Sequence, residues 1–96
     1  MPRRRRQRRT VYVGDQRWKI ERSESLRGCD GDCNYDLKRI RIHARLVAVD
    51  LLDTLIHELI HARWPDLKED AVADFAETLS GVLDAEGFRQ PDHEED

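Results

Sequence analysis

Hydrophobic positions change their period along this chain, and each change marks an element. In VYVGDQRWKIE, residues 11–21, β-branched and aromatic residues flank Gly14 and Asp15, which predicts a β-hairpin turning at that pair. The following SESLRGCDGDCNYDLK, residues 23–38, is rich in Gly, Asp and Ser and predicts a loop. RIRIHARL, residues 39–46, then alternates, with Ile40, Ile42 and Ala44 on one face and Arg39, Arg41, His43 and Arg45 on the other. This is a half-buried strand whose charged face suits a sheet edge or a surface groove.

Over residues 47–63 the period becomes helical. Leu51, Leu52, Leu55, Ile56, Leu59 and Ile60 fill an arc of roughly 180°, wider than the ~100° stripe of an ordinary surface helix, so this helix is expected to be mostly buried. His57 and His61 share the remaining arc with Asp50 and Thr54, because residues four apart lie one above the other. Trp64 precedes Pro65 and is pushed out of the α region, which ends the helix. A second helix restarts with Asp66 as N-cap and an apolar face of Val72, Phe75, Ala76, Leu79, Val82 and Leu83. Ala76, Ser80 and Gly81 are small enough to let another helix approach, and Gly87 is the expected terminator. The elements predict an α+β domain over residues 11–88, with a small antiparallel sheet of about three strands packed on two helices.

Chemistry enters with LIHELIHARWP, residues 55–65. Two histidines at i and i+4 can present imidazole nitrogens to one Zn²⁺ at about 2.0–2.1 Å without strain. Glu58, beside His57, can reach a water whose pKa the metal lowers to about 7, take its proton and deliver it to a leaving amine. A catalytic zinc usually takes a third protein ligand and leaves a position open. Of the acids after the turn, Glu69 lies roughly 60° from the buried direction of the second helix and Asp70 roughly 160°, so Glu69 is the favoured ligand and Asp70 the reserve. Asp66 and Glu69 also have capping-box spacing, in which Glu69 would only satisfy the backbone N–H of Asp66.

Charge is distributed unevenly. The net charge of −3 combines an arm, residues 1–10, bearing Arg3, Arg4, Arg5, Arg6, Arg8 and Arg9, with the acidic end DHEED. The arm is expected to be disordered, and either solubilises the chain or contacts nucleic acid without sequence preference. Residues 89–96 are expected to fray. No apolar run approaches the ~20 residues that cross a bilayer and the first residues lack a signal peptide's apolar core, so a cytoplasmic protein is expected. In that reducing compartment Cys29 and Cys33 are free thiols. A chain of 96 residues buries a modest share of its surface, and a bound metal would add stability.

At DTLIHELIHARWPDLKEDAVADFAETLSGVL the chain resembles the gluzincin-type zincin metallopeptidases, in particular the small SprT-like and minigluzincin-like ones of bacteria and phages. The resemblance covers about residues 36–83 and implies a minimal zincin-like fold with Zn²⁺ held by His57, His61 and Glu69, Glu58 as general base, and a peptide or protein substrate. It also implies that the strand beside the helix can align an extended peptide, in which case the arginines of RIRIHARL would favour acidic segments. Tyr35 and His43 are candidate donors to the tetrahedral oxyanion.

Two other readings use the same residues. Cys29, Cys33, His57 and His61 have the inventory of a closed structural zinc, which with the arginine arm would make a nucleic-acid-binding module. The 23 residues between Cys33 and His57 exceed the ~12 of a C₂H₂ finger. Alternatively, the zincin fold binds zinc and serves a binding or regulatory role without turnover.

Overall fold

A computed structural model describes residues 8–91. Four strands form one sheet: β1 Arg8–Val13, β2 Gln16–Ser23, β3 Gly31–Asn34 and β4 Arg39–His43. Two helices follow, α1 Ala48–Arg63 and α2 Glu69–Ala85. The hairpin forms as expected, with Val13 opposite Gln16 and Gly14 at φ +63°, the glycine-first turn that matches strand twist. It starts earlier than expected: Arg8 and Arg9, assigned to the disordered arm, pair with Glu21 and Ile20, while Arg3, Arg4, Arg5 and Arg6 lie outside the described residues.

The sheet order is β1-β2-β4-β3, with β2 and β4 parallel and the other pairs antiparallel. This corrects the expectation of three antiparallel strands. The missed strand, β3, lies inside the glycine-rich stretch assigned to a loop. It takes the sheet edge, so β4 is an interior strand and not the edge its charged face suggested.

The register explains the core. Trp18 and Ile20 of β2, Ile40 and Ile42 of β4 and then Leu46 are buried together, and Val11, Val13 and Cys33 extend the same inner face. Leu51, Leu55, Leu59 and Ala62 of α1 pack onto that face. The broad apolar arc is therefore used, although most of it is half-buried, with Ile60 and Glu58 the buried residues of α1. Arg22 straps the loop entering α1 by donating to the carbonyls of Ala44 and Leu46 at 3.0 and 2.7 Å. The start of α1 has no side-chain cap from Val47; instead Gln90 Oε1 accepts the Ala48 N–H at 2.8 Å. Arg89 and Gln90, at the start of the stretch expected to fray, bond to the domain, with Arg89 paired to Asp84, and residues 92–96 lie outside the described residues.

α2 packs on α1, burying Val72, Ala76 and Ser80. Phe75 and Val82, expected on its apolar face, are 54% and 52% exposed, and Gly81 is exposed too. Gly87, at φ +95°, ends α2 as expected: its N–H bonds to the Asp84 carbonyl and the Phe88 N–H to the Leu83 carbonyl, the paired bonds of a Schellman turn. No helix among the described residues is long and apolar enough to cross a membrane.

Candidate metal centre

His57 and His61 stand one turn apart on α1, half-buried, with ring centroids 4.8 Å apart. Their Nε2 atoms face each other at 3.1 Å. Glu69, the first residue of α2, spans them with one carboxylate oxygen each: Oε2 lies 3.0 Å from His57 Nε2 and Oε1 2.7 Å from His61 Nε2. The turn through Trp64 and Pro65 sets this meeting. α2 begins at Glu69 with Lys68 as N-cap, so Asp66 is not the cap and the capping box does not form. Asp70 turns away, accepting the Ala71 N–H, and is not part of the cluster.

These three residues offer donor atoms all within 4.8 Å of one another, a group able to coordinate a metal ion. The donor chemistry fits zinc. Two imidazole nitrogens and a carboxylate oxygen are ordinary Zn²⁺ ligands, and three of them leave a fourth tetrahedral position for water or substrate. Two Nε2 atoms 3.1 Å apart can share only one proton between them, and a cation met by both lone pairs removes that conflict. Neither cysteine joins the group. Cys29 is exposed, and Cys33 faces the core from β3. Burial, reinforced by the negative charge of Glu58, pushes the Cys33 thiol up to about 11, unlike the low-pKa thiols that ligate metals.

Glu58 is only 8% exposed. It lines a cavity of about 240 Å³ together with His57, Thr54, Asp53, Gly31 and Asp30. Burial raises its carboxyl above the usual carboxylate range, against the opposing pull of His57 and His61. Gly31 makes this arrangement fit. A Cβ there would lie 2.9 Å from the Arg41 carbonyl oxygen and from Thr54 Cγ2, and 3.3 Å from Glu58 Cγ. Only a residue without a side chain lets α1 come so close to β3. The motif stretch did not reveal Gly31 or Asp53; the sequence signal for Gly31 is a lone glycine inside a strand, which marks a close approach.

The two candidate oxyanion donors part company. Tyr35, at the end of β3, donates its hydroxyl to the His61 carbonyl at 3.1 Å and sets its ring edge-on to Trp18. It thus touches the backbone of the histidine helix. His43 instead accepts the Arg45 N–H at 3.2 Å and lines a different cavity with Cys29 and Arg45. The strand arginines expected to favour acidic peptides do not face the site: Arg41 is held across the sheet by Asp32, and Arg39 and Arg41 occupy the face opposite Ile40 and Ile42, away from α1.

No curated protein and no solved structure matches the chain. The sequence profile of the SprT-like family matches residues 4–69, a span that runs from before β1 through the histidine helix and ends on Glu69. With more than half its length so matched, and with the sheet, helix and acidic residue arranged as above, the chain belongs to the SprT-like family.

Proposed function

We propose that this protein is a zinc-dependent peptidase in which His57, His61 and Glu69 hold the metal and Glu58 is the general base. One observation carries the reading: two imidazoles and a carboxylate converge on one point, and the buried Glu58 opens beside His57 onto a cavity. Zinc, when bound, supplies Lewis acidity, polarising the scissile carbonyl and making water acidic enough to attack near neutral pH.

The chain's own residues do the rest. Glu58 has no hydrogen-bond partner among the described residues, so its carboxylate is free to take a proton from the attacking water. As the water oxygen bonds to the carbonyl carbon and the C–N bond breaks, the same carboxyl returns that proton to the departing amine nitrogen. Tyr35, whose hydroxyl rests on the His61 carbonyl, would have to turn from it to donate to the developing oxyanion. The outer edge of β3 has no strand partner among the described residues, and an extended peptide can add there as a further strand. Arg8 and Arg9, both exposed, would carry any phosphate contact made from the start of β1.

The test is metal analysis and cleavage on the full chain purified without added metal. One zinc per chain is expected, lost in His57→Ala and in His61→Ala but kept in Glu58→Gln. Cleavage of an unfolded protein substrate should fall by about 10²–10⁴-fold in Glu58→Gln. Undiminished cleavage in that variant would overturn the mechanism. Zinc lost on replacing Cys29 and Cys33 by serine would instead favour the structural-zinc reading.

A further inference from the structure

The cavity beside Glu58 is small and lined by carboxylates that the hydrolytic chemistry does not all use. At about 240 Å³ it falls below the ~300–1,000 Å³ of pockets that take a whole small molecule, and it suits one side chain. Two features define what would enter. The first is direction: Gly31 faces the α1 side of the sheet, as does Cys33, and both stand opposite the buried Ile42 and Ile40. A peptide strand added to the edge of β3 that has no strand partner among the described residues puts the residue opposite Gly31 on that same face, toward the cavity that Gly31 lines.

The second is charge. Of the carboxylates near this end of the sheet, Asp32 is paired with Arg41 and Asp30 with Arg45 at 2.7 Å. Asp53, half-buried on α1 one turn before His57, lines the cavity and has no hydrogen-bond or ionic partner among the described residues. Glu58, nine-tenths buried, also lines it and accepts no hydrogen bond from the described residues. An apolar side chain would desolvate Asp53 without compensation, and an acidic one would be repelled, whereas an ammonium or guanidinium group would satisfy it.

We infer that this cavity is a specificity pocket for a lysine or arginine side chain of the peptide substrate, with Asp53 as the residue that recognises its charge. The inference rests on the peptidase reading and reverses the acidic preference expected from the strand arginines. Asp53 acts on selection and leaves zinc content unchanged.

The experiment uses zinc-loaded full-length Glu58→Gln protein and fluorescent five-residue peptides, Gly-Gly-X-Gly-Gly with X as Lys, Arg, Leu or Glu, read by anisotropy at low salt. Lys and Arg peptides should bind roughly tenfold tighter than Leu or Glu peptides, the scale of one well-placed ion pair at a half-buried site. Asp53→Asn and Asp53→Ser in the same background should each erase that preference, with zinc content and melting temperature as the check on folding. No preference, no binding, or a preference that survives both substitutions overturns the inference. Wild-type protein incubated with the same peptides, followed by mass spectrometry, tests the underlying reading separately. Cleavage without basic selectivity overturns the pocket and keeps the peptidase; selective binding without cleavage keeps the pocket and overturns turnover.

Discussion

β4 and β3 are neighbours in the sheet and meet the same helix, yet they meet it in different ways. β4 presents Ile40 and Ile42, both 0% exposed, between a parallel partner on one side and an antiparallel one on the other. β3 presents Gly31 and Cys33, has a partner on one side only among the described residues, and is half-buried throughout. Against β4, α1 is fixed by apolar burial. Against β3 it is fixed by backbone proximity, with Thr54 and Glu58 set on a glycine. The difference separates two tasks: β4 holds the helix in place, and β3 lets its chemical face come near the sheet while leaving a cavity and a free edge beside it.

The largest effect on the fold should come from the β4 side. Ile42→Ala removes a fully buried side chain from the central strand and should cost about 2–5 kcal/mol, read as a lowered urea midpoint at unchanged slope. Against a total stability of roughly 5–15 kcal/mol that is a substantial part. If Ile42→Ala and Gly31→Ala shift the midpoint equally, the division of labour between the two strands is wrong.

Gly31→Ala should have a smaller effect on stability and a sharper one on the site. The added methyl meets the Arg41 carbonyl oxygen and Thr54 Cγ2 at 2.9 Å, and a backbone oxygen in an interior strand cannot swing aside as a flexible side chain would. Overpacking of this kind costs about 1–3 kcal/mol, and the relief available is a shift of α1 away from β3. Such a shift carries His57 and Glu58 with it. The zinc titration of Gly31→Ala should therefore weaken relative to wild type, while Ile42→Ala, where still folded, should titrate normally. A Gly31→Ala protein with wild-type stability and zinc affinity would remove the close-approach argument.

How much of this was legible in the sequence follows from the same contrast. The hairpin, the alternation of Ile40 and Ile42 and the two histidines one turn apart were readable because each is a short-range pattern imposed by strand or helix geometry. β3 was not, since Gly-Asp-Cys-Asn holds one apolar residue and its strand conformation comes from pairing with β4. Burial writes a pattern into a strand; a strand that serves as a spacer needs none. The same holds at the helix ends. Ala48 is capped by Gln90 from the far end of the chain, a contact no local motif announces. Lys68 displaces Asp66 as N-cap while Glu69 turns to the histidines, because a tertiary partner outcompetes a capping box. His57, His61 and Glu69 were singled out by spacing and come together as a group able to hold a metal; the cavity at Gly31 and Asp53 needed the β3 register.

The smallest perturbation tests whether α1 really covers β3. Cys29, just before the strand, is exposed, whereas Cys33 shares the inner face with Gly31 and its thiol is pushed from 9.0 to about 11, first by burial and then by the charge of Glu58. The sign is that of an acid whose ionised form is disfavoured: between pH 7 and 9 Cys33 stays protonated, and its thiolate fraction is about 100-fold below that of a cysteine with the ordinary value. Since the thiolate is the nucleophile, brief iodoacetamide treatment at pH 8 should label Cys29 and leave Cys33 unmodified, with the two becoming equal in urea. Peptide mapping by mass spectrometry reads the ratio. Comparable labelling of both in the native protein would mean that the inner face of β3 is open to water, and then the closeness of Gly31 to α1 could not be what separates this strand from β4.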